Sequence, residues 1–288
     1  MKKITPHLML LFACLYISTV NVTAQSTTID THKMVSDYNK KEYQLKVLLP
    51  AKYSASDTVR FPVLYVLDGN YSTNLFQSTL DLFSLAPELQ QVIIVTIDGV
   101  NTSYEQWLAS RYYDYTPSSD PAADTAIARF MKTPVVPSGG AAAFLQTLEK
   151  QILPWIEQHY KTNADKGLYG HSLGGLFSAY CLLQKPASFC KYSINSPSLW
   201  WRQGEMAKQF ASTAAPNMTI DARVFLSAGK LEGDFMIKPI DAFEKVIITN
   251  LPGIKMNYKI FDDETHLSVV PLTCTRTLRT FYPLTASR

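Results

Sequence analysis

The residues in this chain best suited to covalent chemistry lie in a short glycine-rich stretch. Gly170, Ser172 and Gly174 form a Gly-x-Ser-x-Gly pattern between a short apolar run typical of a buried strand and a run of apolar and small residues typical of a helix. A serine hydroxyl is a poor nucleophile at neutral pH, so it needs a base beside it and donors aimed at the oxyanion it creates. A sharp strand-to-helix turn lifts Ser172 out of the sheet and points the Leu173 N–H at the reacting carbonyl, and glycine avoids collisions in so tight a turn. The pattern therefore predicts a nucleophilic serine.

An acid and a histidine follow this serine, each after a later predicted strand. Glu232 follows a strand predicted at 222–228, and His266 follows one predicted at 255–261. Catalytic groups of an open parallel sheet lie beyond the carboxyl ends of its strands, and nucleophile, acid, histidine is the order typical of α/β-hydrolases. His266 is therefore predicted to accept the proton of Ser172, the alternative being a surface histidine in an acidic loop. The remaining histidines fit worse by position: His7, His32, His159 and His171.

The identity of the acid stays open at this point. Glu232 and Asp234 share one loop, and three further carboxylates, Asp262, Asp263 and Glu264, lie beside the histidine in the chain. A group adjacent to the histidine in sequence rarely reaches back to its Nδ1, so the earlier loop is favoured, with Glu232 ahead of Asp234. The alternative is that the loop carboxylates are merely solvated.

Two backbone amides are predicted to form the oxyanion hole. The Leu173 N–H is one, and the second is expected from the loop after the first long central strand, Asp68-Gly69-Asn70, where Gly69 permits close approach and Asn70 supplies the N–H. The alternative for this tripeptide is an ordinary turn.

Three aromatic residues are candidates for the wall of a substrate pocket. Trp200 and Trp201 follow a predicted strand at 191–195, and Tyr113 lies in an aromatic cluster. All three fit the lining of an acyl or aromatic pocket or the hydrophobic core equally well.

The elements that must position these residues alternate between strands and helices. Continuous apolar runs predict central parallel strands, and the alternation indicates an α/β fold with a mostly parallel sheet covered by helices on both faces. An antiparallel hairpin is predicted at the N-terminus, with arms at 31–38 and 42–49. Further strands are predicted at 61–67 and 91–97, and helices at 73–86, 140–160, 173–185, 203–212, 236–250 and 271–282.

Residues 98–138 break this alternation. The segment is rich in Tyr, Pro, Ser and Asp, shows no sustained period, and is long for a connection within a compact domain. It is predicted to form either a wall of the site or a mobile surface loop. The cluster from Arg111 to Pro117 favours a wall, since it supplies hydrogen-bonding aromatics and one cation.

The net charge of the chain bears on whether it binds a polyanionic partner. Removal of the two lysines of a predicted leader from the 27 basic residues leaves 25 against 24 acidic ones, a net charge of +1. Such a balance predicts neither nucleic acid nor an anionic membrane as a partner.

Cys181, Cys190 and Cys274 remain in the mature chain, allow at most one disulfide and match no metal-ligand spacing. Cys181 is expected to be a buried free thiol.

The first 24 residues have the pattern of an export signal. Lys2 and Lys3 precede an apolar run over 8–20 and a small-residue cleavage site before Gln25. The run is short of the roughly 20 residues that span a bilayer, so cleavage is favoured over a membrane anchor, and lipidation at Cys14 is the minority alternative. The protein is expected to be periplasmic or secreted, with 25–288 forming one domain and no stable membrane insertion.

Six blocks together resemble the putative-esterase family of α/β-hydrolases. They are Leu67-Asp-Gly-Asn70, Arg111-Tyr-Tyr-Asp-Tyr-Thr-Pro117, Gly170-His-Ser-Leu-Gly-Gly-Leu176, Ser196-Pro-Ser-Leu-Trp-Trp201, the Gly-x-x-Glu at 229–232 and His266-x-Ser-x-x-Pro271. The chain is most similar to the branch of trilactone-siderophore (enterobactin and salmochelin) esterases.

The resemblance implies a function and several residue roles. It implies a serine esterase that acts through an acyl-enzyme on a small-molecule ester without metal or cofactor, with Ser172 as nucleophile, His266 as base and Arg111 as a contact for an anionic substrate. Some members of the branch use a Ser–His dyad, which leaves the role of Glu232 open. Two tyrosines follow Arg111 where the family often has further basic residues, so carbohydrate acyl esters are an alternative substrate class. A binding module that kept the fold and lost the chemistry is an alternative of another kind.

Overall fold

The structure is a computed structural model that describes residues 27–56, 58–85, 88–213 and 220–284. The predicted signal peptide at 1–24, including Cys14, lies outside the described residues. Within them no helix is both long and apolar enough to cross a lipid bilayer.

The described chain forms an eight-stranded sheet in the order β1-β2-β4-β3-β5-β6-β7-β8. The first two strands form an antiparallel hairpin, and β2 also runs antiparallel to β4. All other neighbouring pairs are parallel. The strands are β1 Thr28–Val35, β2 Glu42–Leu49, β3 Phe61–Val66, β4 Ile93–Gly99, β5 Thr162–His171, β6 Lys191–Asn195, β7 Ala222–Gly229 and β8 Ile254–Phe261.

Helices cover both faces of this sheet, as predicted. Alternate residues of β3 separate the two layers: Val63 and Tyr65 belong to a core with α2, α4, α5, α6, α7 and α8, whereas Leu64 and Val66 pack with α1 and α9. A π-helical turn, Leu148–Ile152, joins α4 to α5. The helices are α1 Gly69–Ser84, α2 Tyr104–Tyr115, α3 Pro121–Met131, α4 Ala141–Thr147, α5 Leu153–His159, α6 Leu173–Gln184, α7 Glu205–Thr213, α8 Gly233–Asn250 and α9 Val269–Phe281.

The segment 98–138 differs from its prediction, because it holds two helices. The Ser103 side chain accepts a hydrogen bond from the Gln106 N–H at the start of α2, and Asp120 accepts one from the Ala123 N–H at the start of α3. Both are preferred N-cap residues. Polar residues interrupt the apolar period of α2, which buries a charged and hydrogen-bonded face, so periodicity alone missed it. The first arm of the hairpin also lies three residues earlier than predicted, at Thr28–Val35.

The three cysteines of the described region are free thiols. Cys181 is buried on α6, as predicted, and this burial raises the pKa of its thiol well above the ordinary value. The fold in this region is therefore held without disulfides.

Candidate active site

The nucleophile turn joins β5 to α6 with strained backbone geometry. Ser172 has φ 60° and ψ −119°, a positive φ that residues other than glycine rarely adopt. A Cβ on Gly170 would lie 2.1 Å from the carbonyl oxygen of Gly174, which explains the glycine at 170. The turn places the half-buried Ser172 side chain beyond the carboxyl edge of the sheet.

His266 and Glu232 lie in line with this serine. The Ser172 Oγ is 3.0 Å from the His266 Nε2, and the His266 Nδ1 is 2.6 Å from the Glu232 Oε2. Glu232 belongs to a 3-10 turn, Lys230–Glu232, that directly follows β7, whereas His266 lies between β8 and α9. Three segments separated in sequence thus form one chain of hydrogen bonds, because β5, β6, β7 and β8 are consecutive in the sheet.

The Glu232 carboxylate is held from both sides. Its side chain has no exposed surface, and its Oε1 accepts hydrogen bonds from the Ser196 hydroxyl at 2.6 Å and the Gly229 N–H at 2.7 Å. Burial alone would raise the pKa of this carboxyl, but the hydrogen bonds from His266, Ser196 and Gly229 outweigh it and keep the pKa below its ordinary value. Glu232 therefore remains ionised beside the imidazole.

Asp234, the alternative acid, points elsewhere. Its carboxylate pairs with Lys238 one turn along α8 at 2.7 Å, and its side chain is exposed. The structure thus brings Glu232, and not Asp234, to the histidine.

No role was predicted for the serines of the loop after β6. Ser196 binds Glu232, and the Ser198 hydroxyl lies 3.4 Å from the Ser172 hydroxyl. Ser196 also has a positive φ of 39°, which is uncommon outside glycine. Their position directly after a central strand, at the edge that carries Ser172, is the signal that could have identified them.

The two predicted oxyanion donors differ in their surroundings. Leu173 is the first residue of α6, so its N–H has no acceptor within the helix. Asn70 is the second residue of α1, but its N–H donates to the Asp98 Oδ2 at 2.6 Å. The Asn70 N–H was predicted to bind an oxyanion, whereas in the structure it donates to a carboxylate at the end of β4.

The loop that carries Asn70 lies directly beside the serine turn. The Leu67 N–H donates to the Tyr169 carbonyl at 3.0 Å, continuing the β3–β5 pairing. A Cβ on Gly174 would lie 3.3 Å from the Asp68 Oδ2. Asp68 itself has φ 56°, so both loops next to the reacting position hold strained residues.

Arg111 is not placed to contact a substrate anion, contrary to the expectation from the resemblance. Its guanidinium forms a two-point ion pair with Asp68, with Nε and Nη2 2.8 and 2.9 Å from the two carboxylate oxygens. Only 9% of the residue is exposed. The guanidinium also lies 5.1 Å from the centre of the Trp107 ring. Because Asp68 is buried and would otherwise lack a counterion, Arg111 supports the loop before Gly69.

Loss of this ion pair should cost much stability. We expect Arg111→Met to lower the free energy of unfolding by about 3–5 kcal/mol, since the buried Asp68 carboxylate would keep its desolvation cost without its partner. Denaturant unfolding followed by circular dichroism measures the effect. Lys238→Met, which breaks the exposed pair with Asp234, should change the midpoint little because water screens that pair. If the midpoint of Arg111→Met shifts as little as that of Lys238→Met, Arg111 does not stabilise the loop.

The predicted aromatic wall is divided between core and surface. Trp201 is buried and contacts Tyr112, with ring centres 5.8 Å apart, so it belongs to the core. Trp200 is half-buried, and the centre of its ring lies 5.4 Å from that of the Phe235 ring. The Tyr113 ring packs on Gly140, where a Cβ would be 2.4 Å away.

His171, inside the serine turn, is buried beside the catalytic candidate His266. The ring centres are 4.7 Å apart, and neither nitrogen of His171 has a hydrogen-bond partner among the described residues. Burial, His266 and Arg111 hold the pKa of His171 well below its usual range. The ring is therefore a neutral packing surface for the second imidazole.

No group of three or more His, Cys, Asp or Glu side chains in the described part of the chain is arranged to hold a metal ion. The chemistry that the described arrangement supports is attack of a serine on a carbonyl carbon, with proton transfer through an imidazole.

Comparison with protein families gives a match consistent with this geometry. The model of the family described as Putative esterase matches residues 36–249. The chain belongs to this esterase family. It is a carboxylic-ester hydrolase, and its sheet and helices have the α/β-hydrolase fold of the solved structures that it resembles.

Individual relatives are similar to the esterase over different shares of its length. Ferri-bacillibactin esterase BesA of Bacillus subtilis is 29% identical over 265 residues, which cover 86% of this chain and 87% of the relative. Apo-salmochelin esterase of Escherichia coli is 37% identical over 141 residues, 48% of this chain and 42% of the relative. The crystal structure of the BES protein from Bacillus cereus superposes with a TM-score of 0.74 at 29% identity and covers 87% of this chain and 93% of that one.

Proposed function

We propose that the esterase is a serine hydrolase that acts through an acyl-enzyme. The observation that carries the proposal is the unbroken hydrogen-bond chain from Ser172 through His266 to Glu232. A serine hydroxyl, an imidazole and a buried carboxylate in this order form the constellation that activates a serine in unrelated hydrolases.

In the first half of the proposed reaction, the Ser172 Oγ attacks the carbonyl carbon of the ester. Its proton passes to the His266 Nε2. The carbonyl oxygen becomes an oxyanion that accepts a hydrogen bond from the Leu173 N–H. Glu232 stabilises the imidazolium through Nδ1. The tetrahedral intermediate then expels the alcohol, which takes the proton from Nε2, and an ester on Ser172 remains.

In the second half, water replaces the alcohol. His266 accepts a proton from the water molecule as its oxygen attacks the ester on Ser172, and a second oxyanion forms at the same position. Collapse of this intermediate returns the proton to the Ser172 oxygen and releases the carboxylic acid. The cycle consumes one water molecule for each ester cleaved.

The proposed substrate is a siderophore lactone or a related ester. Two relatives are named as esterases of bacillibactin and salmochelin, which supports this class. A carbohydrate acyl ester is the second candidate, and the burial of Arg111 against Asp68 favours it, because it removes the cation expected to bind a polyanionic catecholate. A screen of aryl esters, acetylated sugars, and ferric and iron-free trilactones separates the two by their kcat/KM.

A fluorophosphonate probe tests the nucleophile. We expect the folded protein to acquire one phosphonate on Ser172, detected by mass spectrometry of the intact chain and its peptides. A binding module without chemistry would stay unlabelled. Product analysis with added alcohols separates hydrolysis from acyl transfer, because transfer would give a new ester in place of the free acid.

We also propose that the esterase is exported and that residues 25–288 form one mature domain. The pattern of residues 1–24 supports cleavage before Gln25. Mass spectrometry of the protein recovered from periplasm or medium should give Gln25 as its first residue. Recovery of the full chain from the cytoplasm alone would contradict export.

A further inference from the structure

The Ser198 hydroxyl lies beside the nucleophile oxygen. Its Oγ is 3.4 Å from the Ser172 Oγ, and among the described residues only the His266 Nε2, at 3.0 Å, is another side-chain partner of that oxygen. Ser198 is buried, with 3% of the residue exposed, and the Ser172 hydroxyl is the one partner of its own hydroxyl in the described part of the chain. Burial of a hydroxyl is unfavourable unless a hydrogen bond compensates for it, and a bond of 3.4 Å does so only in part.

The backbone of Ser198 fixes the position of this hydroxyl. The Ser198 N–H donates to the Ser172 carbonyl at 3.0 Å, and the Ser198 carbonyl accepts the Trp201 N–H at 3.0 Å. The Ser172 N–H in turn donates to the Asn195 carbonyl at 3.0 Å. Backbone hydrogen bonds thus join the loop after β6 to the serine turn in both directions. None of them uses the Ser198 hydroxyl, so they can persist in a variant that lacks it.

The direction of the side-chain hydrogen bonds follows from the state of the acid. Glu232 is ionised and can only accept, so the proton between it and the imidazole lies on the His266 Nδ1. In the neutral imidazole Nε2 then carries no proton and accepts the O–H of Ser172. The Ser172 oxygen has thereby used its only hydrogen, but it keeps a lone pair that can accept the O–H of Ser198.

We propose that Ser198 is a further catalytic residue, whose hydroxyl donates to the Ser172 oxygen while that oxygen carries negative charge. Charge develops there twice in the proposed serine mechanism, on which this inference rests. It develops first as the Ser172 proton leaves for His266 during attack on the ester, and again as the second tetrahedral intermediate expels this oxygen. Ser198 keeps its own proton in both steps.

The long separation in the free esterase is compatible with this role. Catalytic hydrogen bonds are often long without substrate and tighten in the transition state. A hydrogen bond to a charged oxygen is also shorter and stronger than one to a neutral hydroxyl. The bond from Ser198 therefore strengthens as charge develops on Ser172. An interaction that is stronger in the transition state than in the ground state raises kcat.

Ser198→Ala tests the role of the hydroxyl. We expect kcat to fall about tenfold on both an aryl acetate and an aryl butyrate, as for one lost hydrogen bond to a charged group, with KM unchanged. The rate at which a fluorophosphonate labels Ser172 should fall by the same factor, because this reaction needs the same attack by the Ser172 oxygen but contains no ester. A contact that only supports the loop would not give equal losses on all three reagents.

Two further variants of Ser198 and one control complete the test. Ser198→Thr keeps a hydroxyl and should retain kcat within about threefold, whereas Ser198→Cys supplies a weaker donor and should fall between Ser198→Ala and the parent protein. Ser178→Ala is the matched control, since Ser178 is also buried and its hydroxyl donates to the Gly174 carbonyl of the serine turn. It should keep both kcat and the labelling rate within about threefold.

Three outcomes would overturn the inference. The first is a kcat of folded Ser198→Ala that stays within about threefold of the parent value. The second is a higher KM with kcat unchanged, which would place the hydroxyl on the substrate. The third is a loss that neither the Thr nor the Cys variant restores in part, which would indicate a packing role.

A failure of folding does not leave the question open. If circular dichroism shows that Ser198→Ala is unfolded, Ser198→Cys decides alone, because it keeps the size of the side chain and should lower kcat without a change in KM. A parent protein that neither cleaves the aryl esters nor reacts with the phosphonate would instead contradict the proposed function. The two failures can therefore be told apart.

Discussion

Ser172→Ala is expected to lower kcat for ester hydrolysis by about 10⁶-fold, the loss typical when the nucleophile of a serine triad is removed. The hydroxyl accounts for the covalent step, and among the described residues it is the one hydrogen-bond partner of the His266 Nε2, 3.0 Å away. What remains is the binding of substrate and the stabilisation of charge by amide hydrogens. Steady-state kinetics on an aryl ester, with the protein titrated by a phosphonate probe, measures the loss.

Ser178→Ala is the matched control for this substitution. Ser178 lies on the same helix, and its hydroxyl donates to the Gly174 carbonyl at 3.0 Å. It should retain kcat within about threefold, as expected for the loss of one neutral hydrogen bond within a helix. Phosphonate labelling of Ser172→Ala at another serine, with kcat preserved, would assign the nucleophile elsewhere and remove the basis of the mechanism.

The second large effect is expected at Glu232. Glu232→Gln keeps the shape of the side chain, and the Ser196 hydroxyl and Gly229 N–H would hold the amide oxygen where Oε1 now lies. The amide nitrogen would then face the His266 Nδ1 and donate to it. The imidazole would carry its proton on Nε2 and could no longer accept one from Ser172. A loss of about 10⁴ in kcat follows, as for other triads in which the acid is neutralised.

Asp234→Asn separates this explanation from a general effect of charge in the loop. Its exposed carboxylate pairs with Lys238, so the variant should keep nearly full activity. If Asp234→Asn collapses and Glu232→Gln does not, the assignment of the acid is wrong. If both variants stay active, the esterase uses only Ser172 and His266.

Most of the fold was predictable because its determinants are local. The continuous apolar run of β3 and the Gly-x-Ser-x-Gly turn are visible within a few residues of sequence. The convergence of Ser172, Glu232 and His266 was also predictable, because each follows a strand of one parallel sheet and the carboxyl ends of such strands meet at one edge.

The sequence could not predict the contacts that only tertiary packing determines. Arg111 pairs with Asp68 across 43 residues, and the Asn70 N–H meets an acceptor 28 residues away. A family motif indicates that a cation or an amide is important, but not whether it faces the substrate or the interior. Helix α2 was missed for a related reason, because its buried face includes Arg111 and Asp114 and does not follow an apolar period.

The pairing of β3 with β5 has a consequence for how the esterase becomes active. Val66 lies beside Tyr169, so the halves of the site that carry the Asn70 loop and Ser172 meet only when residues about a hundred positions apart come together. Such non-local pairings close slowly, because the chain loses loop entropy before the contacts compensate for it. Helices can therefore form early on the folding pathway, whereas hydrolysis begins only after the centre of the sheet has closed.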